Sequence, residues 1–198
     1  MIELEKILES QSSILLELNT SIQLIKEYRN RIISNDHNYL KHNNSINLLL
    51  RIVLNNVFLH FHKIIRDDNF SINVVMKHLK MNFNDPKLLE IKTTKKNIDK
   101  LFTKNELNEI RNEYVAHIDS ERKTRTYNWK ELYQLNDNLI LFYNQVKNLI
   151  GQNKTIFIDE DLLVNILDSY KKLNDIYEAR NEYFITKDQK VLEKLLFI

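Results

Sequence analysis

The chain has 198 residues with one Gly, one Pro and no Cys, where an average chain this long carries roughly fourteen Gly and ten Pro. That scarcity argues against hairpin-rich β folds, excludes Gly-rich phosphate loops and dinucleotide fingerprints, and removes disulfides, Cys-ligated metals and a thiol nucleophile. With 29 basic and 27 acidic side chains the net charge is +2, which decides neither for nor against nucleic acid. The scarcity of Gly, Pro and Cys leaves a mostly helical protein of one domain, and no cofactor is expected. Residues 2–33 read as a long amphipathic helix. Leu4, Leu8, Leu15, Leu18, Ile22, Ile25 and Tyr28 recur at steps of three and four, with one seven-residue gap. Ser34-Asn35-Asp36 ends it. Residues 45–66 are the most apolar stretch. Leu48, Leu49, Ile52, Val53, Val57, Phe58, Phe61, Ile64 and Ile65 cover most of the helix circumference, which predicts a central, largely buried helix.

A shorter helix over about 71–81 follows Ser71 as N-cap, and Pro86 marks the next helix start. Thr103-Lys104-Asn105-Glu106 has the spacing of a capping box and predicts a helix beginning there and running to Ile118 or Asp119. Its buried stripe is Leu107, Ile110, Tyr114 and Ile118. Residues 120–128 form a polar loop. Asn128 caps a helix over 129–150, and Gly151 sits just past its end. After a linker at 152–158, a helical pair covers about 160–184 and 188–197. The expected division is a bundle over 1–151 and a C-terminal helical extension over 152–198, packed on the same domain.

Charge is unevenly spread. Residues 77–104 hold eight Lys against Asp85, Glu90 and Asp99, whereas 155–183 hold seven acids against three bases. A Lys-rich stretch can face a phosphate backbone, but a solvated helix surface is the commoner use. The N-terminus MIELEKILES has the character of neither a signal nor a transit peptide, and no run of about 18 apolar residues occurs, so a cytoplasmic location off the membrane is expected.

Catalytic groups are few. His60 and His62 lie roughly 200° apart around a helix and cannot face one metal. His37 and His42 have no carboxylate at ligand spacing, so no metal site is expected. One segment stands apart, Glu109-Ile110-Arg111-Asn112-Glu113-Tyr114-Val115-Ala116-His117-Ile118-Asp119. Arg111 supplies a permanent cation for phosphate, and His117 a proton acceptor or donor near neutral pH. That pairing suits metal-independent RNA cleavage, with His117 acting on the 2′-OH or the leaving oxygen and Arg111 balancing charge on phosphorus. A bare Arg with a His four to six residues later arises by chance about 0.7 times in such a composition, and Arg31 with His37 is a second instance. The Arg31 match crosses an expected helix end, whereas the Arg111 match carries Asn112 and Ala-His-Ile-Asp.

At these residues the chain resembles the HEPN superfamily, in particular its AbiU2-like branch associated with abortive phage infection. The resemblance rests on Arg111, Asn112, Ala116, His117 and Asp119, and on a long helix and a very apolar helix preceding the motif. It implies an all-α HEPN-like bundle that forms a homodimer, brings two motifs into one cleft and acts as an endoribonuclease in phage defence or a toxin–antitoxin system. Arg111 and His117 would be the catalytic pair, Asn112 a supporting polar residue, and Asp119 an orienting or capping group. A nucleotidyltransferase-type antitoxin is among the partners such proteins take. A non-catalytic helical module binding a partner protein or nucleotide is the alternative. Arg122, Lys123 and Arg125 in the following loop are candidate RNA-binding cations, with Tyr127 and Trp129 nearby. Arg180-Asn181-Glu182-Tyr183 repeats the string of 111–114 without a His, so His117 carries most of the functional signal.

Overall fold

The structure, a computed structural model, describes residues 2–33, 44–66, 69–83, 86–110, 128–155 and 157–187. Six helices of more than one turn run through these residues, with no strand among them: α1 Ile2–Ile33, α2 Asn44–Arg66, α3 Ile72–Asn82, α4 Lys87–Lys104, α5 Trp129–Leu149 and α6 Glu160–Thr186. The chain is all-α, in line with the expectation from its sequence. The short helix expected over 188–197 lies outside the described residues.

Local signals explain most boundaries. Ser71 precedes α3 and its carbonyl accepts from the Val74 and Val75 amides, although its hydroxyl does not cap the helix. Pro86 stands at the head of α4, where a missing N–H costs nothing. The Asn128 side chain accepts from the Glu131 amide at 3.4 Å, capping α5. At the far end of α5, the Gln152 amide bonds the Lys147 carbonyl at 2.8 Å and the Gly151 amide bonds the Asn148 carbonyl at 3.2 Å. Gly151 has φ +78°, so the two bonds close a Schellman motif around the one residue type that enters this region without strain. Asp159 caps α6 by accepting from the Leu162 amide.

Two expectations need correction. Thr103 does not start a helix: it lies in the last turn of α4, and the break falls at Asn105 and Glu106. Asn105 Nδ2 donates to the Leu101 carbonyl at 2.8 Å, and Glu106 turns the chain with φ +52° before helix resumes at Leu107. A four-residue box cannot reveal that the preceding helix already occupies it. Nor is α2 largely buried. Val57, Phe58, Phe61, Ile64 and Ile65 are fully enclosed, but Leu48 is 57%, Leu49 53% and Ile52 49% exposed.

The chain divides into two compact units, 1–22 with 55–158 and 23–54 with 159–198. In the first, α4 packs along α5, and α3 packs on α4. Its core holds Leu8, Leu15 and Leu18 of α1, Phe58 and Phe61 of α2, Leu79 of α3, Phe102 of α4, and Phe142 and Tyr143 of α5. The seven-residue gap in the α1 stripe is filled by Gln11, which is buried between Leu8 and Leu15 in sequence. Residues 152–155 and 157–158 form no helix but are strapped down. Thr155 and Asn144 exchange backbone–amide bonds, Phe157 is buried against Tyr143, and the Phe157 carbonyl accepts from Asn19 of α1. In the second unit Tyr28, Ile46, Leu50 and Tyr170 form a small cluster, and the Tyr28 hydroxyl donates to Asn47 at 2.9 Å. That cluster covers one side of the first half of α2. The opposite apolar side, at Leu48, Leu49 and Ile52, stays open, which is why an all-round apolar pattern did not produce all-round burial.

Among the described residues, Ile46–Arg66 is the one helix long and apolar enough, by length and composition, to cross a membrane. A core helix passes the same test, and the second half of this one is packed into the first unit.

Candidate functional site

Arg111, Asn112, His117 and Asp119 lie outside the described residues, as do Arg122, Lys123, Arg125 and Tyr127. What the structure describes is the two flanks of that segment. On the N-terminal flank, Leu107 and Ile110 are buried at 0% and 2%, and the Ile110 amide bonds the Glu106 carbonyl at 3.0 Å. Leu107 and Ile110, three apart, therefore begin the stripe expected for the motif helix, while Asn108 and Glu109 are exposed. On the C-terminal flank, Asn128 caps α5, and the Trp129 ring lies 6.3 Å from that of Tyr133 on the same helix.

The flanks are tied together. Glu131, with 14% of its side chain exposed, accepts from Lys104 Nζ at 2.5 Å through one carboxylate oxygen and from Asn105 Nδ2 at 3.3 Å through the other. This three-residue clamp joins the end of α4 to the start of α5. Residues 104–105 and residue 131 therefore lie at the same end of the α4–α5 pair.

The internal echo behaves as an ordinary helical fragment. Arg180 is exposed on α6 with its guanidinium 5.5 Å from the Phe184 ring, Glu182 is exposed, and only Ala179 just before the string is buried. Arg-Asn-Glu-Tyr alone therefore marks no site.

The described histidines have structural neighbours that explain them without a ligand. His60 Nε2 sits 3.5 Å from a Glu17 carboxylate oxygen, His78 Nε2 sits 4.0 Å from one of Glu3, and the His62 ring lies 6.3 Å from Phe102. Burial pushes the His60 pKa down, outweighing the upward pull of Glu17, while Lys63 adds to the lowering. No group of three or more His, Asp or Glu able to hold a metal occurs among the described residues.

One cluster emerges only from the tertiary structure. Lys77 and Lys80 of α3 and Lys92 and Lys95 of α4 line a single cavity of about 270 Å³, together with Asn73 and Met76. The Lys excess over 77–104 was visible in the sequence. The convergence of two pairs from different helices was not, because it depends on how α3 packs on α4.

No family model, no curated protein and no solved structure matches the chain.

Proposed function

We propose that the protein is a metal-independent endoribonuclease of the HEPN type, acting in phage defence or a toxin–antitoxin system. The observation that carries this reading is the string Arg111-Asn112-Glu113-Tyr114-Val115-Ala116-His117-Ile118-Asp119. Support comes from the buried Leu107 and Ile110, which lead helically into it, and from the Lys104–Glu131–Asn105 clamp that fixes its flanks.

In the proposed reaction the 2′-OH attacks the adjacent phosphorus. The O2′–P bond forms and the P–O5′ bond breaks, leaving a 2′,3′-cyclic phosphate and a 5′-hydroxyl. His117 takes the 2′-OH proton or delivers one to O5′, and Arg111 offsets the charge that builds on the phosphoryl oxygens. Asn112 supports the pair, and Asp119 orients His117. Arg122, Lys123 and Arg125 hold the strand. Two copies of the motif from a homodimer would share one cleft in the cytoplasm, with a nucleotidyltransferase-type protein as the partner that restrains it.

The test is cleavage of end-labelled RNA with excess chelator. Cleavage should persist, leave a cyclic phosphate and fall at least about 100-fold in His117→Ala and in Arg111→Ala. A His117→Ala protein that cleaves as fast as its parent overturns the assignment.

A further inference from the structure

The cavity between α3 and α4 has a chemistry of its own. Lys77 and Lys80 are three residues apart, as are Lys92 and Lys95, so each pair shares a helix face and steps about 4.5 Å along its axis. α3 packs on α4, and Ile72, Val75, Met76 and Leu79 on α3 and Leu88 and Ile91 on α4 are all buried. The packing of α3 on α4 therefore places four lysines around one hollow. Among the described residues Asp99 is the one carboxylate paired with any of them, meeting Lys95 at 2.5 Å. Lys77, Lys80 and Lys92 are exposed and form no ion pair among the described residues.

Four lysines lining one hollow, with a single carboxylate paired among them, leave an excess of positive charge that favours an anion there. The lining also says which part of an anion is read. It contains no aromatic ring on which a base could stack, and the Asn73 amide nitrogen is directed to the Ile65 carbonyl at 3.3 Å. Cations without stacking or base-edge donors contact phosphate and carry no sequence information.

We propose that the α3–α4 cavity is a phosphate-binding site that holds the backbone of single-stranded RNA, built from residues other than those of the motif string 111–119. The phosphate chemistry rests on the cavity alone, and the choice of RNA rests on the endoribonuclease reading. Lys77, Lys80 and Lys92 bind the phosphates. Lys95, already paired with Asp99, contributes least. The site anchors a strand independently of its base sequence.

The test measures fluorescence anisotropy of a labelled uridine oligonucleotide with the full-length protein carrying His117→Ala, over a range of salt. Adding Lys77→Gln, Lys80→Gln and Lys92→Gln should weaken binding at least about tenfold. The salt-dependence slope should fall by about 2, since each phosphate no longer neutralised removes roughly 0.7. A control with Lys6→Gln, Lys171→Gln and Lys172→Gln removes the same charge from exposed positions elsewhere and should change affinity by less than about twofold. All six positions are exposed side chains, and an unchanged far-UV spectrum confirms folding. Equal losses in both triple variants, or none in the cavity variant, overturn the proposal. Inorganic tripolyphosphate is titrated as competitor. If it binds the cavity more tightly than the oligonucleotide does, the site belongs to a free polyphosphate and the RNA assignment falls. If the parent protein cuts no RNA while cavity-dependent oligonucleotide binding persists, the nuclease reading fails and the cavity assignment stands.

Discussion

Asn136 Nδ2 donates to Asn19 Oδ1 at 2.7 Å, joining α5 to α1 across 117 positions of sequence inside the core. Asn19 in turn donates through its own amide nitrogen to the Phe157 carbonyl, so one buried relay fixes α1, α5 and the strap after α5. Removing one member strands the next. Asn136→Ala leaves Asn19 Oδ1 buried without that donor and should cost about 1–3 kcal/mol. Chemical denaturation measures it, and a loss under about 0.5 kcal/mol would show that the relay does not bear on stability.

Gln11 offers the opposite case. It is 1% exposed, and neither polar atom of its amide has a hydrogen-bond partner among the described residues. The α1 stripe has an apolar slot there. Gln11→Met keeps the unbranched shape and removes the stranded amide, so it should stabilise by about 1–2 kcal/mol. Thermal melting should rise by roughly 2–6 °C for a chain this long, and a lower midpoint would mean that the slot needs the amide.

His60 sets a pH dependence. Burial lowers its folded-state pKa below the unfolded value of about 6.5, so the unfolded chain binds more protons in the window just beneath that value. Stability is therefore fully present above about pH 6.5 and is lost as pH falls through the folded pKa. Glu17 opposes the shift and Lys63 reinforces it. Replacing Glu17 with Gln should deepen the acid loss, and His60→Gln should flatten it. Denaturation midpoints between pH 5 and 8 test both, and an unchanged profile in His60→Gln would assign the dependence to other groups.

Gly151 is the chain's sole glycine and occupies φ +78°, with open space where a Cβ would stand. Gly151→Ala therefore meets no clash and carries only the backbone cost of the left-handed region, about 1–2 kcal/mol. Urea midpoints of parent and variant measure it, and an equal midpoint would mean that the α5 terminus relaxes freely.

Much of the helical layout was legible because its causes are local. The bounds of α1, the Pro86 start of α4, the Asn128 cap and the Gly151 stop each follow from a few neighbouring residues. Thr103 misled for the same reason: a capping-box pattern is short, and the end of α4 overran it. The proposed Arg111 and His117 pair was legible as spacing and residue type. A cleft is not a local property, and that pair falls outside the described residues.

By itself the sequence determined an all-helical chain, since one Gly, one Pro and apolar periods of three and four leave little else. It also determined that any phosphate chemistry must come from side chains on helices or their loops. Only the tertiary structure decided which apolar surfaces are covered, leaving Leu48, Leu49 and Ile52 open, and which lysines meet, drawing Lys77 and Lys80 to Lys92 and Lys95. Burial and convergence depend on what packs against a helix, and that partner is set by distant residues whose contacts no local pattern encodes.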